Sequence, residues 1–180
     1  MKYSIVYADP PWNYSGPFNE SIPSRSKRGP CYSAMRMVDI HDYLESIHLE
    51  LADDCYLFLW STSSLLPEGL HTLRSWGFEF KVVAFTWVKK NKHKDSWFWG
   101  MGSYTRCNPE FCLMGIRGKP KPISHSVHSI IDTPIEEHSK KPDCVRDKIV
   151  ELCGDLPRIE LFARQKVDGW DSIGNQLVEK

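Results

Sequence analysis

The chain has 180 residues, 41% of them hydrophobic and 26% charged, and its 23 basic side chains balance its 23 acidic ones. This composition is typical of a soluble globular protein and excludes collagen-like, disordered and small disulfide-stabilised chains. No apolar run approaches the ~18 residues of a membrane span, and residues 1–9 lack the pattern of a signal peptide. We therefore expect one domain over residues 1–180, in the bacterial or host-cell cytoplasm, with no membrane partner.

The six cysteines form no C-x-x-C pair, and several, such as Cys55, lie inside apolar stretches. Thiols of this kind in a reducing compartment are expected to be reduced core residues. Cys107 and Cys112 could be combined with His125 and His128 as zinc ligands, but the C-x4-C spacing is loose for a zinc site. No metal is expected.

The first part of the chain predicts one strand and one helix. Tyr3–Ala8 is a short apolar run that ends at a pair of prolines, which cannot donate to a β-ladder. A loop rich in serine, proline and glycine follows to about residue 33. From Asp39, a suitable N-cap, apolar side chains recur at helical spacing through Leu51, which predicts one amphipathic helix.

The rest of the chain alternates strands and helices. Strands are predicted at residues 55–60, 80–88, 111–116 and 158–162, and helices at residues 67–77 and 142–154. This alternation predicts an α/β fold with a mostly parallel sheet and helices on both faces. Ligands of such sheets bind outside the carboxyl ends of the strands, so the residues after each strand are candidates for the functional site.

The tetrapeptide Asp9-Pro10-Pro11-Trp12 follows the first predicted strand directly. An aromatic amine such as N6 of adenine is a poor nucleophile because its lone pair is delocalised, and two fixed acceptors for its hydrogens favour the pyramidal geometry that attacks a methyl group. The Asp9 carboxylate and the Pro10 carbonyl can supply these acceptors on a backbone stiffened by the proline rings. Trp12 would add stacking worth ~1–3 kcal/mol, toward the few kcal/mol needed to extract a base from a duplex. The alternative interpretation is that these residues only end the strand and have no catalytic role.

Residues 8–12 resemble the signature of the DPPW-motif adenine-N6 methyltransferase family, which includes the catalytic subunit of the eukaryotic messenger-RNA adenine methyltransferase and bacterial and phage relatives. Five further stretches are similar to blocks of that family and follow its order: residues 56–60, 110–115, 138–143, 159–164 and 174–177. The resemblance spans nearly the whole chain. It implies an S-adenosylmethionine-dependent enzyme with a permuted Rossmann-like fold, in which the catalytic motif comes first and the cofactor motifs lie near the C-terminus.

The resemblance also implies which side chains contact the cofactor. The matching residues are Asp9, Lys141, Glu160, Phe162, Arg164, Asn175 and Gln176, with Glu110 as a further acid on the cofactor side. Lys141 corresponds to the lysine that meets the methionine carboxylate, and Glu160 and Arg164 correspond to residues around the ribose. The amides of Asn175 and Gln176 suit an adenine edge or ribose hydroxyls. Alternatively, Glu160 and Arg164 form a surface ion pair, and Asn175 and Gln176 belong to a polar turn near the C-terminus.

The likeness has limits after the last predicted strand. Gln165-Lys166-Val167 stand where eukaryotic members carry Pro-His-Asn, so ribose contacts are not carried over to Lys166 or Val167. The chain has no G-x-G-x-x-G motif, and dinucleotide dehydrogenase chemistry is therefore not expected.

Basic residues cluster in three short runs, at residues 25–28, 89–94 and 117–121, which would follow a phosphate backbone if they lay on one rim. We expect the loops 13–33 and 89–108 to contact the substrate strand. The expected contacts are Tyr14, Arg25, Lys27, Arg28, Lys89, Lys90, Lys92, Lys94 and Arg106. Tyr14, Trp97, Trp99 or Tyr104 is expected to add stacking, with about half of these four aromatic residues lying in the core.

The predicted reaction is in-line methyl transfer from S-adenosylmethionine to N6 of adenine in nucleic acid, where orientation alone can contribute up to ~7–11 kcal/mol. DNA is favoured over RNA because the chain is small and resembles the bacterial and phage branch. The small size also predicts weak sequence selectivity or dependence on a partner in a homo- or hetero-oligomer. The alternatives are a non-catalytic nucleic-acid-binding subunit and an enzyme for another planar amine: cytosine N4, RNA adenine or a protein glutamine amide.

Overall fold

The computed structural model describes residues 1–13, 34–102, 104–137, 139–175 and 177. Its helices are α1 (Met37–His41), α2 (Tyr43–Ser46), α3 (Leu66–Ser75) and α4 (Cys144–Cys153), with a 3₁₀ turn at Ser63–Leu65. Its strands are β1 (Tyr3–Ala8), β2 (Leu51–Thr62), β3 (Glu79–Trp87), β4 (Glu110–Arg117), β5 (Ile130–Ile131), β6 (Arg158–Leu161) and β7 (Asp171–Ile173). Within the described residues these strands form one sheet in the order β5-β3-β4-β2-β1-β6-β7.

The sheet is mostly parallel, as predicted. β1 lies parallel to β2 and to β6, β6 lies parallel to β7, and β3 lies parallel to β5. β4 runs antiparallel to both of its neighbours, β2 and β3. The first residue of β4 therefore lies at the same edge as the carboxyl ends of β1, β2, β3 and β6.

Alternate side chains of the sheet enter two separate cores. Leu57 and Leu59 of β2 pack on one face with Leu73 of α3, while Phe58 and Trp60 pack on the other face, where α4 contributes its apolar side. Two-sided burial explains why the strands are nearly continuous apolar runs. Helices thus cover both faces of the sheet, which confirms the predicted α/β architecture.

The predicted helix from Asp39 to Leu51 is wrong in extent. Asp42 adopts a non-helical conformation and separates α1 from α2, and His48 takes a positive φ of 50° beyond the end of α2. Leu51 pairs with Tyr3 in the parallel ladder and begins β2. The apolar spacing identified the buried side of α1 and α2, but it continued by chance into the first residue of a strand.

The other predicted elements agree with the structure to within a few residues. Gly77 follows α3 with a φ of 81°, and Gly154 follows α4 with a φ of 93°, both in the left-handed region that glycine tolerates best. β5 and β7 were not predicted, because two or three residues are too short to show a period. None of the helices in the described part of the chain has the length and apolarity that crossing a membrane requires.

Candidate active site

The carboxyl edge of the sheet brings together residues that are distant in the sequence. Asp9 follows β1, and Phe162 follows β6, which pairs with β1. Glu110, the first residue of β4, pairs with Thr62 at the end of β2. The reversed direction of β4 therefore places a second carboxylate at the edge where Asp9 lies.

Acidic and basic side chains alternate in a chain of ion pairs along this edge. The Lys141 ammonium lies 2.8 Å from the Asp9 carboxylate and 3.2 Å from the Glu110 carboxylate. Glu110 also pairs with Lys89 at 2.5 Å, and the Asp9 side chain, at 22%, is the most exposed of the four. Lys141 lies over the Trp60 ring, 5.7 Å from its centroid. Two carboxylates are thus held by one shared cation in a largely desolvated site.

Burial and charge act in opposite directions on these groups. Burial raises the pKa of Asp9 above its ordinary value of 3.8, and Lys141 offsets only part of that rise. Burial also acts to raise the pKa of Glu110, but Lys141 and Lys89 outweigh it and the pKa is lowered. For Lys141, burial lowers the pKa, but Asp9 and Glu110 outweigh it and the pKa is raised. Lys141 is therefore charged at neutral pH, and Asp9 is protonated before Glu110 as the pH falls.

A second buried ion pair lies beside the first cluster. The Arg146 guanidinium donates from Nε to Glu160 Oε2 at 2.7 Å and from Nη2 to Glu160 Oε1 at 2.9 Å. Its Nη1 reaches Asp143 at 2.7 Å, and the guanidinium lies 5.9 Å from the Tyr7 ring centroid. Burial raises the pKa of Glu160, and Arg146 offsets part of the rise. The bidentate pair fixes the plane of the Glu160 carboxylate and leaves further lone pairs on both oxygens for a ligand.

A cavity of about 160 Å³ joins the two clusters. Five residues that the sequence analysis singled out line this cavity: Asp9, Lys141, Glu160, Phe162 and Arg164. Five more lining residues were missed: Tyr7, Glu137, Lys140, Arg146 and Gln165. The cavity thus combines carboxylates, cations and two aromatic rings at the edge where a ligand of such a sheet is expected.

The backbone at Phe162 adopts an uncommon conformation. Phe162 has a φ of 60°, and its ring centroid lies 4.4 Å from that of Tyr43. The next residue, Ala163, donates its N–H to the carbonyl of Ile173 at the end of β7. A left-handed non-glycine residue costs about 1–3 kcal/mol and is most frequent at functional sites. Here it turns the chain immediately after β6, between Glu160 and Arg164.

Trp12 does not offer the open stacking face that the sequence predicted. Its side chain is only 4% exposed and packs in the core on the α3 side of the sheet, and its indole Nε1 donates to the Trp60 carbonyl at 3.0 Å. The indole is too large and too apolar to remain in water when an adjacent core can bury it. Trp12 therefore anchors the loop that carries Asp9.

The two proline carbonyls are both engaged. The Pro10 carbonyl accepts the Trp12 N–H at 2.8 Å, and the Pro11 carbonyl accepts the Met35 N–H at 2.9 Å. These bonds fix the backbone after Asp9. A carbonyl oxygen has two lone pairs, so Pro10 retains acceptor capacity. Pro10 is itself buried, and it is not among the residues that line the cavity.

Two lysines of the predicted phosphate-binding run are occupied elsewhere. Lys89 lies in the ion-pair cluster with Glu110. Lys90 pairs with Asp132 at 2.9 Å and lies 5.7 Å from the Trp97 ring centroid. Nearby carboxylates therefore already neutralise both lysines within the fold, and their contact with phosphate stays a prediction.

Lys92 and Lys94 are exposed, as a phosphate contact requires. Arg106 differs, because its guanidinium donates to the carbonyls of Trp99 and Gly100, both at 3.0 Å. Its role in the fold is to brace its own loop. The run at residues 117–121 follows β4 and so leaves the opposite edge of the sheet, away from Asp9.

The remaining predictions concern an amide contact, the loop aromatic residues, five residues outside the described ranges and a metal site. Asn175 is exposed and does not line the cavity. Trp97, Trp99 and Tyr104 are 46%, 55% and fully exposed, so the expected core share of the loop aromatics is not found among them. Five predicted contacts lie outside the described residues: Tyr14, Arg25, Lys27, Arg28 and Gln176. Among the residues that are described, no cluster of three or more His, Cys, Asp or Glu side chains is arranged to hold a metal ion.

Sequence reasoning missed two residues that shape the candidate site, Arg146 and Asn108. Arg146 lies one helical turn after Lys141 and Pro142, so the position of α4 was a usable sign that it could reach the same edge. Asn108 gave no comparable sign. It is 6% exposed and its amide holds together both ends of the loop before β4, with bonds to Lys89 and Phe98.

Comparisons with known proteins identify relatives of this chain. The MT-A70 family matches residues 3–176. The Type II methyltransferase M.MunI of a Mycoplasma species is 33% identical over 98% of this chain and 78% of its own length. The N(6)-adenosine-methyltransferase catalytic subunit of Homo sapiens is 29% identical over 98% of this chain, and an MT-A70-like N(6)-adenosine-methyltransferase of Arabidopsis thaliana is 29% identical over 97%. The chain spans only about a quarter of the length of these two eukaryotic relatives.

The Arg146–Glu160 pair gives a stability prediction. Arg146→Leu leaves a buried carboxylate without its cation and should lower the free energy of unfolding at neutral pH by about 3–5 kcal/mol. Loss of Arg146 raises the pKa of Glu160 further above 4.5, so the folded variant binds a proton that the unfolded chain has lost. Its stability should therefore fall as the pH rises from 4.5 toward that higher pKa, and urea unfolding across this range measures the loss.

Two controls separate this effect from a general loss of packing. Arg146→Leu combined with Glu160→Gln should recover much of the loss, because no buried charge remains. Arg36→Leu removes the cation of an exposed pair with Asp39 and should cost about 1 kcal/mol or less. An Arg146→Leu variant whose loss of stability were the same at pH 4.5 and pH 7 would contradict the assignment.

Proposed function

Because the chain belongs to the MT-A70 family of adenine-N6 methyltransferases, we propose that it transfers a methyl group from S-adenosylmethionine to N6 of adenine in DNA. The observation that carries the proposal is the position of Asp9, which lines the edge cavity and is held at 2.8 Å by Lys141. DNA is proposed over RNA because the likeness to the Type II methyltransferase covers most of that protein's length. The likeness to the eukaryotic catalytic subunits covers a much smaller share of theirs.

The lining residues fit the chemistry of S-adenosylmethionine. Lys141 would meet its carboxylate, Glu160 would accept from its ribose hydroxyls with Arg164 beside the ribose, and Phe162 would pack on an apolar part of the molecule. When bound, this cofactor supplies an electrophilic methyl group. Asn175 is exposed and is not among the residues that line the cavity. We propose Asn175 and Gln176 as contacts for the part of the cofactor that extends past the cavity.

Asp9 acts as a hydrogen-bond acceptor for the amine of the target base. A carboxylate accepts, whereas a carboxylic acid also donates, so Asp9 must be ionised to hold an amine hydrogen. Lys141 favours the ionised form against the effect of burial. The second amine hydrogen is assigned to the remaining lone pair of the Pro10 carbonyl, whose position the Trp12 N–H fixes. Acceptors fixed before the substrate arrives need no reorganisation during the reaction.

The substrate strand is proposed to lie along the outer loops. Lys92 and Lys94 are available as phosphate contacts, and we propose the same role for Arg25, Lys27 and Arg28 and a stacking contact for Tyr14. We propose that residues 1–180 act as one domain, since a single sheet links elements from both ends of the chain. A second copy or a partner subunit would supply target selection, in the cytoplasm where nucleic acid and cofactor meet.

Asp9→Asn tests the proposed acceptor. It keeps the shape of the side chain but replaces one acceptor oxygen with a donor, and should lower kcat by at least ~100-fold. The assay is incubation with labelled S-adenosylmethionine and single-stranded DNA, duplex DNA or RNA, followed by nucleoside mass spectrometry, with N6-methyladenine in DNA as the expected product. Asp171→Asn, which changes an exposed carboxylate that accepts from the Tyr3 hydroxyl, is the matched control. Retention of the wild-type rate by Asp9→Asn would show that the acceptor is another group.

The shared cation gives a pH prediction for the same reaction. Asp9 is active when ionised, so kcat should fall as the pH falls toward its raised pKa. Lys141→Gln removes the charge that offsets burial, so the pKa of Asp9 rises further and the acid limb moves to higher pH. The measurement is kcat against pH at saturating cofactor. Lys81→Gln, which removes an exposed lysine paired with Glu79 on β3, should leave the limb in place. An unshifted limb in Lys141→Gln would refute the coupling to Asp9.

A further inference from the structure

Large apolar side chains stand exposed on one loop at the edge of the proposed active site. We propose that this platform loop, residues 88–102 and 104–109, is a stacking surface for unpaired bases, so that the chain binds its nucleic acid as a single strand. The inference rests on the proposed function for the identity of the substrate. It extends that function by specifying the strand form, which the catalytic cavity does not determine.

The exposed side chains are unusual in size and number. Trp97 is 46% exposed, Trp99 is 55% exposed, and Met101 and Tyr104 are almost or fully exposed. A soluble protein leaves single apolar side chains in water without consequence, whereas a group of them on one segment is typical of a binding surface. Stacking on nucleobases uses aromatic rings of this kind and tolerates any sequence, because every base has a π-face.

The loop is braced from within, so the rings are presented by an ordered backbone. The Asn108 amide donates to the carbonyls of Lys89 and Phe98, and its oxygen accepts the Lys89 N–H at 2.8 Å. Antiparallel bridges join Lys90 to Trp97 and Gly100 to Cys107. A loop already folded in this way pays little conformational entropy when a ligand binds.

A close backbone approach at Gly102 supports the same conclusion. A Cβ at Gly102 would come within 2.1 Å of the Thr105 carbonyl oxygen, so this position requires glycine. Arg106 fixes the carbonyls of Trp99 and Gly100. The backbone that carries the exposed Trp99 ring is therefore held by these contacts.

The charge around the rings favours a nucleic-acid strand over a protein. Lys92 and Lys94 are exposed on the same loop and form no ion pair with any described residue. Lysine is depleted at protein–protein interfaces, whereas lysines beside aromatic rings are typical of surfaces that follow a single strand. Lys89 lies near the start of the loop, and its pairing with Glu110 connects the loop to the Lys141 and Asp9 cluster. A strand bound on the platform would therefore lie next to the proposed catalytic edge.

The test measures binding of a probe that cannot be methylated at adenine. A labelled oligothymidylate of about 20 nucleotides is titrated with the full chain by fluorescence anisotropy, and Trp99→Ala and Tyr104→Ala should each bind it roughly 5- to 150-fold more weakly. Binding to a G·C duplex of similar length should be unchanged in both variants, because a duplex stacks its own bases. Lys92→Ala should lower the slope of log affinity against log salt by about 0.7.

Controls distinguish stacking from a structural effect. Trp99→Phe keeps an aromatic face and should retain most of the affinity, and Ile123→Ala removes an exposed apolar side chain beyond the opposite sheet edge and should have no effect. Unchanged oligothymidylate binding in Trp99→Ala and Tyr104→Ala would overturn the inference, as would a Trp99→Phe variant as weak as Trp99→Ala. A wild-type dimer that these alanine variants dissociate would assign the surface to protein contact and overturn it also.

Methyl transfer is measured on the same preparations with an adenine-containing strand. Platform-dependent binding of oligothymidylate with no methylation of any adenine would leave the inference standing and remove the proposed function. Methylation of adenine by a chain whose binding does not depend on the rings would support the proposed function and overturn the inference.

Discussion

One ammonium group serves two carboxylates at the edge of the sheet. Lys141 lies between Asp9 and Glu110, which come from strands far apart in the sequence and would repel each other without it. The site is largely desolvated, so the cost of burying each charge is met only while its partner is present. This constraint explains why Asp9 can remain an acceptor in a buried position. It also explains why Lys89, which pairs with Glu110, is drawn away from the solvent.

The rest of the cavity is built on the same principle. Glu160 is held by two hydrogen bonds from Arg146, and Arg146 is held in turn by Asp143 at the start of α4. Asp9 and Glu160, two carboxylates that line the cavity, are therefore each oriented by a neighbouring cation. The backbone after β1 is fixed instead by neutral hydrogen bonds, from the Trp12 indole to the Trp60 carbonyl and from the Trp12 N–H to the Pro10 carbonyl. Groups fixed in this way stabilise developing charge without rearranging, which is the usual source of catalytic advantage in a buried polar site.

The sequence predicted the parts of the structure that depend on local pattern. Buried strands of a parallel sheet are apolar along their whole length, so β1, β2, β3, β4 and β6 were visible, and the family resemblance from residues 8–12 is confirmed by the match over residues 3–176. The choice of partner for a charged side chain is long-range, and it was not predictable. The ion pairs of Arg146 and Lys89 were missed because their partners, Glu160 and Glu110, are close only after the sheet has formed. Trp12 was misplaced because the core that buries it is assembled from other strands.

The central claim is that a carboxylate held by a shared cation receives the amine of the target base. The most direct measurement is a crystal structure of the full chain with an adenine-containing oligonucleotide and a cofactor analogue that lacks a transferable methyl group. The account predicts adenine N6 within hydrogen-bond distance of both the Asp9 carboxylate and the Pro10 carbonyl, with Lys141 still in contact with Asp9. An adenine whose N6 lies away from Asp9, or an Asp9 side chain turned out of the cavity in the complex, would contradict it.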